Sequence, residues 1–73
     1  MNDYEQNEDL ENRFTYHAPK GDQPARYEDL RNLAKELAYV FYKKCPESRE
    51  KSLALTKLEE AVFWANASIA RNE

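Results

Sequence analysis

The first half of the chain carries cations interleaved with aromatic rings: Arg13, Phe14, Tyr16, His17, Lys20, Arg26 and Arg31, with Lys35 one helical turn further on. These residue types suit a ligand that is both phosphorylated and aromatic. Guanidinium and ammonium groups pair with phosphate oxygens. Aromatic faces stack on nucleobases for about 1–3 kcal/mol each. Arg31 and Lys35 are four residues apart, so on a helix both heads share one face. The same residues also have a plainer use. Phe14 and Tyr16 could pack on a neighbouring chain, and Arg31 and Lys35 could pair with Glu28, Asp29 or Glu36. On the residues alone both readings stand.

Catalytic chemistry is harder to assemble. A nucleophile needs an activating base beside it. His17 is the only imidazole and Cys45 the only thiol, and they lie at opposite ends of a long predicted helix. Glu28-Asp29 and Glu59-Glu60 are sequence neighbours on helices, so their carboxylates point in different directions. The expectation is a binding protein and no enzyme. A tetrahedral zinc site takes about four nitrogen or sulfur ligands, more than one histidine and one cysteine supply. Neither metal nor cofactor is expected.

The elements that must position these groups are helices. Asp22 or Gln23 opens the first, with Pro24 in its first turn, where a missing N–H costs nothing. Tyr27, Leu30, Ala34, Leu37 and Phe41 recur at three- and four-residue spacing and predict one apolar face, widened by Leu33, Ala38 and Val40. Lys43 and Lys44 complement the dipole of the last turn, and Pro46 ends the ladder. Ser48 is a candidate N-cap for the second helix. There Leu55, Leu58, Val62, Ala65 and Ile69 repeat the spacing. The expected fold is all-α: an antiparallel two-helix hairpin, helices about 22–45 and 48–71, the short connection making them neighbours. Residues 1–12 are expected to form an acidic N-terminal arm and residues 13–73 the hairpin domain. In the linker, Phe14, Thr15 and Tyr16 favour extended backbone, Ala18 is pushed from helix by Pro19, and Gly21 permits a turn.

A chain of 73 residues buries only about 60% of its unfolded surface, and scaffolds this small usually lean on disulfides, a metal or oligomerisation. One cysteine makes no internal disulfide. The hairpin is therefore expected to assemble with copies of itself into a homo-oligomeric helical bundle, which would also cover apolar faces too wide for one seam. The lone thiol suits a reducing compartment, the acidic N-terminus has no leader-like apolar stretch, and no run is apolar enough to span a membrane. Net charge is −3; residues 1–12 hold five acids and no base, leaving nine acids against eleven bases in the rest. DNA is not an expected partner, because it asks for a strongly basic face. A small anion is compatible. Near the C-terminal side Trp64, Asn66, Ser68 and Arg71 stand among Ala65, Ala67 and Ala70, suited to a tight helix contact. For Arg71, placement near a helix C-terminus is sufficient explanation by itself.

The segments FTYHAPKGDQPARYEDLR and CPESREKSLALTKLEEAVFWANASIARNE, with their spacing, resemble the helical hairpin of the phage anti-CBASS protein two family. Thoeris anti-defence protein one, which carries additional structure, shares a similar hairpin. The resemblance covers about residues 13–73. It implies a homohexamer in the cytoplasm of the infected bacterial host that binds cyclic GMP–AMP type dinucleotides between subunits without cleaving them, and so starves the effector they would activate. It also implies a separate site for cyclic trinucleotides near threefold contacts. Tyr16 matches the base-stacking tyrosine of the dinucleotide pocket, and Arg31, or else Lys35, the cation that meets phosphate. His17 and Arg26 fall in the same expected site, His17 with Pro19 shaping the loop. Arg71, in the terminal ARN, matches the trinucleotide-site arginine. Two other classes compete: a small helical adaptor that binds a host protein, and a modest nucleic-acid-binding module.

Overall fold

The structure, a computed structural model, describes residues 7–73, and among them the regular elements are all helices, without strands. A short helix, α1 (Glu8–Phe14), precedes two long ones, α2 (Gln23–Lys44) and α3 (Arg49–Asn72).

The short helix corrects one expectation. Phe14 is helical, not extended, and α1 runs across the division expected between residues 12 and 13. Local electrostatics outweigh β-propensity here. Asn7 caps the helix, its Oδ1 accepting from the Leu10 N–H at 3.0 Å. Glu8, Asp9 and Glu11 fill the positive first turn, and Arg13 stands in the last. Arg13 also pairs with Asp9 at 3.2 Å, one turn back. Thr15, which ends the helix, is extended.

Gly21, at φ 57°, makes the turn into α2; this left-handed conformation strains any residue with a Cβ. Asp22 flanks α2 without a capping hydrogen bond from its side chain. Gln23 closes the turn in its place: its N–H donates to the Lys20 carbonyl at 3.0 Å, and its Oε1 accepts from the Lys20 N–H at 3.1 Å. At the other end the Cys45 N–H donates to the Phe41 carbonyl before Pro46 stops the helix. Ser48 caps α3, accepting from the Lys51 N–H at 3.1 Å.

The two long helices pack antiparallel along one seam. Tyr27, Leu30, Ala34, Ala38 and Phe41 meet Leu55, Leu58, Val62, Ala65 and Ile69, all half-buried. Leu37, expected on this face, stays 43% exposed, while Ala38, expected at its edge, lies in the seam. An alanine lets the backbones approach where leucine would hold them apart. Among the described residues no hydrophobic side chain is fully buried. The molecule measures 56 × 29 × 12 Å; its thinnest dimension is about one helix diameter. A stable domain normally stacks two such layers.

The only buried residues described are polar, and each sits at one end of the hairpin: Gln23 and Lys51. At the turn, the Lys51 ammonium donates to the Tyr42 carbonyl at 2.8 Å and to the Glu47 carboxylate, and lies 3.9 Å from the centre of the Tyr42 ring. At the open end, Gln23 joins a second cluster around Glu73. A hairpin with a half-open seam is thus latched at both ends.

Candidate functional site

The α2 register sets Arg31 and Lys35 on the rim of a groove between the long helices. The groove encloses about 630 Å³, floored by Ala34, Ala38, Leu58 and Val62 and flanked by Glu59, Phe63 and Asn66. The small alanines of α2 leave the space. Neither cation forms an ion pair among the described residues, so pairing with Glu28, Asp29 or Glu36 does not occupy them. The Asn66 Oδ1 is buried without a hydrogen-bond partner; a buried acceptor in that condition is costly unless something donates to it. Lys35 also borders an adjoining hollow of about 240 Å³, beside Tyr39 and Tyr42. Unpaired cations, exposed rings and an unfilled acceptor together can hold an anionic aromatic molecule. Glu59 on the same wall would favour a ligand that also offers N–H donors.

The remaining expected residues lie elsewhere. Tyr16 is 83% exposed on the non-helical segment before α2 and does not line the groove. Within one chain, then, Tyr16 and the Arg31/Lys35 pair are not brought together. His17 is half-buried, and its Nε2 lies 2.8 Å from the Asn12 carbonyl, tying the segment back to α1. Arg71 is half-buried in the last turn of α3, where a cation complements the dipole.

Arg26 is already occupied. Both of its terminal nitrogens donate to the Glu73 carboxylate, Nη1 to Oε2 at 2.8 Å and Nη2 to Oε1. Its Nε lies 3.2 Å from Asp22 Oδ2, an ionic contact without hydrogen-bond alignment. Glu73 is also held by the Gln23 amide at 3.2 Å, and its carbonyl oxygen accepts from the Lys20 ammonium at 2.8 Å. The fork of hydrogen bonds from Arg26, then the one from Gln23, brings the Glu73 carboxyl down from 4.5 to about 2. The bonds to Glu73, with the Asp22 carboxylate beside them, raise the Arg26 guanidinium above its ordinary value.

Sequence reasoning placed Lys20 and Arg26 in the basic cluster but missed Glu73, which reads as a solvated acid. It also missed Lys51, one of many surface-type lysines by composition. No local pattern marks Glu73; Lys51 stands four residues after Glu47, but nothing local marks its burial or its bond to the Tyr42 carbonyl. Among the described residues no group of three or more histidine, cysteine, aspartate or glutamate side chains could hold a metal, and no helix is long and apolar enough to cross a membrane.

Compared with known proteins, the chain matches one family model, described as Acb2/Tad1, hairpin domain, over residues 6–70. That span takes in Tyr16, Arg31 and Lys35 and stops one residue short of Arg71. No curated protein and no solved structure matches the chain.

Proposed function

This chain belongs to the Acb2/Tad1 hairpin family, whose role is anti-defence, and from that premise we propose that it sequesters cyclic oligonucleotide second messengers of the cyclic GMP–AMP type without cleaving them. The observation that carries the reading is the unpaired Arg31 and Lys35 on the rim of the groove, beside the unpartnered Asn66 acceptor. Phosphates meet the cations, while a base edge meets Asn66 and Glu59.

The ring that stacks on the base comes from another subunit. Tyr16 is exposed and does not line the groove of its own chain. A single-layer hairpin with no buried hydrophobic residue among the described residues supports assembly, and we take the assembly to be a homohexamer. A cyclic dinucleotide has two phosphates and two bases, so a twofold-related pair of Tyr16 and Arg31 side chains can meet both halves. Because such a site exists only in the assembly, ligand and assembly stabilise each other. No bond is made or broken, and no general base is called for: the protein acts as a sink, in the cytoplasm of an infected bacterium, that keeps the messenger from CBASS effectors. Arg71 is assigned to a second site for cyclic trinucleotides.

One test decides it. The pure protein is incubated with cyclic GMP–AMP, freed of unbound ligand and denatured, and the released material is identified. Intact ligand in stoichiometric amount supports sequestration; a linearised product would make the protein a nuclease. The competing reading, an adaptor for a host protein, draws on the exposed Tyr39, Tyr42, Phe63 and Trp64. Failure to retain any of a panel of cyclic di- and trinucleotides would favour the adaptor.

A further inference from the structure

We propose that Arg26 is a positioning residue, clasped to Glu73, that fixes the Tyr16 segment against the end of α3 and does not itself touch ligand; the assignment to ligand binding rests on the sequestration reading. Every cross-hairpin hydrogen bond that the described side chains make at the open end converges on Glu73: from Lys20 Nζ, from Gln23 Nε2, and twice from Arg26. Gln23, the hub, is only 3% exposed and also binds the Lys20 backbone from both sides. Residue 20 is therefore fixed relative to residue 73.

Tyr16 lies four residues before Lys20, a stretch that includes Pro19 with its locked φ. Upstream, the His17 ring is tied to the Asn12 carbonyl, but α1 has little packing of its own. The clasp is thus the main connection between the exposed Tyr16 ring and the rigid pair of long helices. Fully extended, four residues reach about 14 Å, so without the clasp Tyr16 could sample a volume far wider than one nucleobase. Arg71 stands two residues from Glu73, and the same clasp holds the turn that carries it. With both terminal nitrogens on Glu73, Arg26 has no fork left to offer a phosphate.

Two single variants separate this role from direct contact, because the two accounts give Glu73 opposite signs. Retention of cyclic GMP–AMP is measured for Arg26→Gln, Glu73→Gln and the double variant, with assembly mass from light scattering alongside. A clasp predicts that both single variants weaken retention, that the double variant is no worse than either, and that mass is unchanged. If the freed segment holds Tyr16 correctly about one tenth of the time, apparent affinity falls about tenfold. Glu73→Asp, which keeps the charge, should recover part of the loss. If Glu73→Gln instead retains ligand as well as or better than the parent while Arg26→Gln loses it, Arg26 is a ligand contact and the proposal is overturned. Should the parent protein retain no cyclic nucleotide, the sequestration reading fails and the clasp is judged by amide hydrogen exchange. Faster exchange across residues 16–22 in Glu73→Gln supports it; unchanged exchange overturns it.

Discussion

Tyr16 is where a single side chain should separate binding from folding. It is 83% exposed and its side chain makes no hydrogen bond among the described residues, so removing the ring should leave the hairpin intact. Tyr16→Ala is expected to abolish cyclic dinucleotide retention while the assembly mass stays that of the parent; dissociation in light scattering would make Tyr16 an interface residue instead. Glu73 gives a second prediction, in pH. Its carboxyl is held near 2 in the folded chain against an ordinary 4.5, chiefly by Arg26. A depressed acid stabilises the fold above pH 4.5, and that contribution is lost as pH falls toward 2. The pair is solvent-facing and therefore screened, so the effect is modest. Denaturation midpoints of the parent and Glu73→Gln should differ above pH 4.5 and converge as pH drops through that window. Parallel curves throughout would show that the clasp does not stabilise the fold. At this scale legibility in the sequence was uneven. The four-residue spacing of Arg31 and Lys35 put both on one face, and both line the groove. The engagement of Arg26 was invisible, because its partner lies 47 residues away and no local spacing encodes it.

Elements were more legible than residues, since their causes are local. Two runs of three- and four-residue spacing, a proline and a serine cap suffice to write the long helices and the turn between them. Helix α1 is legible only as an arm, mobile or marginally helical, because its residues are polar. Polarity resembles a solvated arm until one notices that Asn7, the three following acids and Arg13 are ordered for a helix cap and dipole. Gly21 offers the sharpest element-level prediction. A Cβ added there would meet nothing within 4 Å, so Gly21→Ala should cost only the strain of a left-handed backbone, about 1–2 kcal/mol. Asn, which tolerates that region better, should cost less than Ala in urea denaturation at fixed protein concentration. Equal costs would mean that the turn relaxes to another conformation. The opposite end gives a companion prediction. Lys51→Ala removes the donor that bridges Tyr42 and Glu47, and should lower stability by about 1–3 kcal/mol in the same measurement. An unaffected midpoint would mean that solvent replaces the latch without loss.

At the scale of the whole molecule the decisive fact is thickness. A plate 12 Å deep has two faces, and residues two apart on a helix point about 200° from each other. Leu33 and Leu37 therefore face away from Arg31 and Lys35, and Val40 continues their stripe one turn on. All three are exposed, as is Trp64 on α3. One face thus offers cations, rings and a groove, and the other offers aliphatic surface. A single twofold contact covers one face and leaves the other in water. Covering both takes two different contacts per chain, which generates an assembly larger than a dimer and agrees with the proposed hexamer. Leu37→Glu should break the aliphatic contact alone, because it leaves the groove lining untouched. Light scattering should then report a smaller closed assembly in place of the parent's, and at equal protein concentration the variant should melt at a lower temperature. A variant of unchanged mass would place the aliphatic stripe outside the subunit contacts. It would then be an apolar surface available to a protein partner, and the adaptor reading would gain what the hexamer lost.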